Sequence, residues 1–231
     1  MSVERNLLVS ILKLTSNGVI SLECVNKEAS LPASTTSMLL HKLQNQNLVY
    51  IKGGFVESNT ECRLKLAARA IELGADAERI SELLSWQEFE AITALALERN
   101  GYVVEKNVRF KHEGKRWEID VVGFRKPLVL CIDCKHWHQG MRPSTLKKMA
   151  ASQANRTLAF AEFLPNFTFA VPCVKWERAK FVSVILSLIP FDPKYCDGTP
   201  IVPVLQMQDF VYQLPLNVDS LKYFTRKFSH L

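Results

Sequence analysis

The sequence predicts an α/β protein in which a mixed sheet flanked by helices forms the C-terminal part, preceded by a smaller α+β part. Three observations carry this. Residues 117–124 and 128–135 are short apolar, β-branched runs separated by the compact turn Arg125-Lys126-Pro127, which reads as a hairpin. Helical spacing before and after them (residues 85–99 and 144–163), with further strand-like runs at 181–189 and 201–204, alternates strand and helix. The first 58 residues instead read as three helices and a tight hairpin.

Leu7, Leu8, Ile11, Leu12 and Leu14 have helical spacing, and Asn17-Gly18 stops the helix. Val19-Ile20 reads as a short strand. Ser21 caps a helix running through Ala29, and Leu31-Pro32 is a turn. A third helix starts at Ser34 or Thr35 and runs to about Gln46. Leu48–Ile51, Gly53-Gly54 and Phe55-Val56 form a tight hairpin. Thr60 caps a helix to Leu73, and Asp76 opens another through Leu84; Arg63, Lys65 and Arg69 read as its solvated face. Three helices and a β-hairpin resemble a winged helix, whose third helix can enter the major groove. Here that helix offers Lys42 as its one certain cation. The expected organisation is a winged-helix domain over 1–58, a helical linker over 59–84 and a catalytic-type domain over 85–231.

The chain has 231 residues and a formal net charge of +6. Residues 1–85 carry nine basic and nine acidic residues, so the whole excess lies in residues 86–231. A basic surface around carboxylates suits a polyanionic substrate. No apolar run reaches the ~20 residues of a membrane span, and the N-terminus lacks a signal-peptide pattern. Six scattered cysteines are expected to be reduced thiols in a cytoplasmic protein.

Chemistry concentrates in the 117–135 hairpin. Asp120, Asp133 and Lys135 interrupt apolar strands, and charges in such places are costly unless paired or metal-bound. Alternation puts Asp133 and Lys135 on one face; Glu118, two residues from Asp120, is an alternative acid. A salt bridge between Asp133 and Lys135 is the plain structural reading. Cys131, Cys134, His136 and His138 superficially resemble zinc ligands, but alternation splits them across two faces, which does not close a tetrahedron.

Asp120 followed by Asp133-Cys134-Lys135, with Glu90 in the helical Trp86-Gln87-Glu88-Phe89-Glu90 upstream, resembles the PD-(D/E)XK nuclease superfamily. The order of helical Phe-Glu, Gly-Tyr and the two strands is similar to Mrr-type restriction endonucleases and archaeal Holliday-junction resolvases, over residues 85–212. The resemblance implies a restriction-endonuclease-like fold and Mg²⁺- or Mn²⁺-dependent hydrolysis of DNA in repair, recombination or restriction. Asp120, Asp133, Glu90 and the Cys134 carbonyl are the implied metal ligands, oxygen donors suited to a hard cation. Lys135 orients the attacking water, and Gln153 assists the site. Lys147, Lys148, His136, His138, Arg156 and Lys42 are the candidate nucleic-acid contacts. Many relatives are dimers, so a homodimer is expected. The competing expectation is a nuclease fold used as an inactive platform for DNA or protein; a transcription regulator would want a more basic recognition helix than residues 33–46 supply.

Overall fold

A computed structural model describes residues 3–135, 142–164, 171–188 and 190–228. The chain divides into two compact units, Met1–Phe89 and Glu90–Leu231.

The first unit contains α1 (Val3–Leu14), β1 (Ile20–Ser21), α2 (Leu22–Ala29), α3 (Ala33–Asn45), β2 (Tyr50–Lys52), β3 (Phe55–Glu57), α4 (Thr60–Glu72) and α5 (Ala77–Glu82). Its strands form an antiparallel sheet in the order β1-β3-β2. The two-residue turn between β2 and β3 needs positive φ twice, which Gly53 (58°) and Gly54 (81°) supply. Ser21 caps α2, accepting from the Cys24 amide at 3.2 Å. The cap of α4 is Asn59 rather than Thr60: the Asn59 side chain accepts from the Cys62 amide at 2.9 Å. The α1 stripe of Leu7, Leu8, Ile11 and Leu12 is wholly buried, and α4 packs on α1 inside this unit.

Arg63 departs most from the sequence expectation. It is buried, not solvated. Its guanidinium donates to Glu88 Oε1 (2.6 Å), the Leu12 carbonyl (2.7 Å), Thr15 Oγ1 (2.7 Å) and the Leu83 carbonyl (2.6 Å). A planar fork with five donors can tie the ends of several helices at once, which an ammonium cannot. Arg69 is also engaged, with Glu4 Oε1 at 2.6 Å, and Lys42 reaches Glu4 Oε2 at 2.9 Å. The hydrogen bonds from Lys42 and then Arg69 hold the Glu4 carboxyl below its usual ionisation range.

Helix α6 (Trp86–Arg99) spans the division between the units. The second unit continues with β4 (Val103–His112), β5 (Lys115–Arg125), β6 (Leu128–Lys135), α7 (Pro143–Phe163), β7 (Arg178–Ser187), β8 (Tyr195–Cys196), β9 (Thr199–Pro203), α8 (Met207–Asn217) and β10 (Tyr223–Lys227). Its seven strands form one mixed sheet, β4-β5-β6-β7-β9-β8, with β10 beside the first half of β7. β4, β5 and β6 are antiparallel neighbours; β6, β7 and β9 are parallel. A parallel step needs a crossover, and α7 lies in the one between β6 and β7.

On one face, Ala159 and Phe160 of α7 pack with Val122, Phe124, Val129, Cys131 and Phe181. On the other, a Cβ at Gly123 would stand 3.0 Å from Leu97 of α6 and 3.2 Å from Tyr102, so a larger residue there would press on that helix. This is the mixed sheet flanked by helices that the sequence predicts. Residues 223–227 form a strand, since they pair antiparallel with 178–182. Val171 leads into a 3-10 turn.

Candidate active site

The site grows out of a fork in the sheet. β5 and β6 pair from Arg125–Leu128 to Val121–Ile132 and no further. Beyond that point β5 continues alongside β4 to Lys115, while β6 continues alongside β7 to Lys135. The first residues past the fork are Asp120 on β5 and Asp133 on β6. The Cys134 amide faces the gap and donates to Asp120 Oδ2 at 2.7 Å. A side-chain carboxylate thus takes the place of the missing strand carbonyl.

β5 also switches faces here. Ile119 and Val122 both join the core beneath α7, although residues three apart on a regular strand point to opposite sides. Glu118, the alternative acid, is exposed and lies 3.1 Å from Arg109. On β4 the ladder pairs Lys106–Val121 and Val108–Ile119 bracket an unpaired position, Asn107 opposite Asp120. Asn107 has a φ of 53°, a left-handed conformation that asparagine tolerates better than most residues. Its Nδ2 donates to Glu90 Oε2 at 3.1 Å, and Glu90 is buried. The signal for this in the sequence is an asparagine between two strand-like runs.

Asp133 and Lys135 share a face as alternation predicts, with Nζ 3.0 Å from Asp133 Oδ2. Arg156, expected to face nucleic acid, instead places Nη1 2.6 Å from Asp133 Oδ1 and 2.8 Å from Gln153 Oε1. Gln153 is fully buried and donates to the Cys131 carbonyl at 2.7 Å. Gln153 and Arg156 are three residues apart on α7, so they present one face to β6. Lys147 and Lys148, near the start of that helix, are exposed. His136 and His138 lie outside the described residues. Lys42 belongs to the first unit, where Glu4 occupies it.

Burial pushes the Asp120 carboxyl up to about 6; Asp133 adds to this, while the Cys134 amide, Lys135 and Arg156 hold it back. Burial also raises the Cys134 and Cys131 thiols, keeping both protonated. Cys134 Sγ lies 4.0 Å from Thr93 Oγ1 of α6, whereas Cys131 sits in the core beneath α7. The two thiols face opposite sides, as strand alternation predicts.

Among the described residues no three His, Cys, Asp or Glu side chains form a metal-ligand group. Glu90 therefore does not complete a triad with Asp120 and Asp133; its carboxylate is on Asn107. The donors that remain, two carboxylates and a strand carbonyl, still suit Mg²⁺, which keeps several of its waters. The raised Asp120 carboxyl is a buried acid short of positive charge, which a divalent cation would supply.

Residues 85–164, which span this fork and its supporting helix, match the nuclease-related domain family. An uncharacterised protein of the archaeon Archaeoglobus fulgidus is 30% identical over 132 residues, covering 57% of this chain and 92% of that protein. The chain belongs to one family with this archaeal protein. The segment matching the nuclease-related domain family contains Glu90, Asn107, Asp120, Asp133, Lys135, Gln153 and Arg156. Among solved structures, Can2 from Sulfobacillus thermosulfidooxidans in complex with cyclic tetra-adenylate is similar at a TM-score of 0.39 and 17% identity, over 92% of this chain and 50% of that one. The restriction endonuclease FokI is similar at a TM-score of 0.39 and 15% identity, over 93% and 44%. This chain thus spans half or less of those two proteins, and such distant likenesses add nothing to the fold described above.

Proposed function

We propose that this chain is a metal-dependent endonuclease that hydrolyses phosphodiester bonds in DNA, in repair, recombination or restriction. One observation carries the reading: Asp120 and Asp133 occupy the first positions past the fork, with Lys135 Nζ on Asp133. Asp120, Asp133 and the Cys134 carbonyl are the groups that would hold Mg²⁺ or Mn²⁺. The carbonyl of a strand residue leaves the same edge as its N–H, and the Cys134 N–H points into the fork. When bound, the ion would lower the pKa of a water and polarise the phosphoryl oxygen. Lys135 orients that water and offsets charge developing on the phosphate. Arg156 and Gln153 position Asp133 from behind rather than touching substrate. Glu90, held by Asn107, stands beside the ligands.

The first three helices, α1 to α3, and the three-stranded sheet of the first unit support a winged helix. Because Glu4 engages Lys42, we assign this unit to pairing two chains rather than to reading bases. Sedimentation equilibrium checks that: a monomer at every concentration removes the homodimer.

The central test is cleavage of labelled linear duplex, single-stranded and four-way-junction DNA with Mg²⁺ or Mn²⁺, beside Asp133→Ala and Lys135→Ala. The expected result is cutting by the wild type that both substitutions abolish. Binding without cutting in any metal would make the fold an inactive platform instead.

A further inference from the structure

Beyond the fork, β4 and β5 run on as a two-stranded arm. Residues 106–118 carry five Lys or Arg and two Glu. On its core face Val108, Phe110, Trp117 and Ile119 pack beneath α7. Alternation therefore turns Arg109, Lys111, Arg116 and Glu118 to the opposite face. Two cross-strand pairs lie there in register, Arg109–Glu118 and Lys111–Arg116. The first is a neutral ion pair at 3.1 Å. The second sets two exposed cations directly opposite one another, an arrangement that destabilises a strand pair. Neither has a carboxylate partner among the described residues. These four residues, with Phe110 and Trp117, line an open pocket of about 580 Å³.

A like-charged pair at the rim of a pocket is relieved by an anion lying between its members. At ~3.4 Å per residue, Arg116 stands about 14 Å along β5 from Asp120. That is the span of a few nucleotides of backbone.

We infer that Lys111 and Arg116 form a phosphate clamp for a nucleic-acid strand whose backbone continues to the fork. The inference rests on the nuclease reading of that fork and extends it with a binding surface that takes no part in the chemistry.

The test uses the full-length chain carrying Asp133→Ala, so that bound DNA stays intact. Anisotropy of fluorescein-labelled duplex and single-stranded DNA is followed between about 50 and 200 mM salt, where each phosphate contact contributes ~0.9 to the slope of log affinity against log salt on duplex. Lys111→Gln with Arg116→Gln is expected to lower the duplex slope by about 2 and weaken binding at least about tenfold. Removing two other exposed cations, by Lys175→Gln with Lys194→Gln, should leave the slope unchanged. The clamp variant should melt no lower than its parent, because a repulsive pair has gone. An unchanged slope in the clamp variant, an equal loss in the control pair, or no DNA binding by the parent overturns the clamp. A wild type that fails to cut, beside a clamp variant that loses slope, would overturn the nuclease reading and leave the clamp standing.

Discussion

Asp120→Asn isolates what the fork does to its first carboxylate. Asparagine keeps an oxygen to accept from the Cys134 amide and removes only the charge. Burial pushes the Asp120 carboxyl up to about 6 in the folded chain, against an ordinary value of 3.8. That is about two pH units, or about 3 kcal/mol at 1.36 kcal/mol per unit. The sign follows from proton uptake. Between those two values the folded chain holds a proton that the unfolded chain has released, so wild-type stability falls as pH rises through 6 and levels off above it. Asp120→Asn has no such slope. The variant should match the wild type near pH ~4 and exceed it by about 3 kcal/mol near pH ~8. For a chain of this size that is a rise of roughly 6–12 °C in Tm. Urea titrations at a series of pH values measure the difference directly. A variant no more stable than wild type at the alkaline end, or a gain that does not grow with pH, would refute the electrostatic account of the fork. Mn²⁺ should raise the Tm of the wild type and not of the variant, since the variant lacks one ligand charge.

Three other substitutions test the frame around the site. Arg63→Ala leaves Glu88 and two buried carbonyls without their donor, so the first unit should lose about 3–5 kcal/mol in urea unfolding; a loss below about 1 kcal/mol would reduce these ties to the strength of surface pairs. Asn107→Gly keeps the positive φ and deletes the amide that holds Glu90, and Mn²⁺ affinity by calorimetry should fall about tenfold or more. Affinity equal to wild type would separate Asn107 from the metal site. Gly123→Ala drives a methyl against Leu97 and Tyr102 and should cost about 1–3 kcal/mol by calorimetric melting; an unchanged melt would mean that α6 moves away freely.

Much of the fold was legible because its signals are local. The apolar runs on either side of Arg125-Lys126-Pro127 became β5 and β6, and period-two alternation alone put Lys135 on Asp133. Ser21, Gly53-Gly54 and the α1 stripe were readable for the same reason: caps, turns and periodicity act within a few residues. The strand at 223–227 was not legible, because five residues of mixed polarity become a strand only when the edge of β7 is free to receive them. Arg63 reads as a surface cation on its helix, and its burial depends on carbonyls 20 and 51 residues away.

By itself, then, the sequence determined most element types, the mixed sheet and the candidate acids Asp120 and Asp133 with their lysine. Tertiary structure decided how those acids are used. Where β5 leaves β6 is set by which neighbour each strand edge bonds, and no local pattern encodes that choice. The same parting makes the Cys134 amide seek Asp120 and exposes the ladder gap at Asn107. It also leaves Asp133 to Arg156, 23 residues further along the chain on a helix that only packing brings alongside.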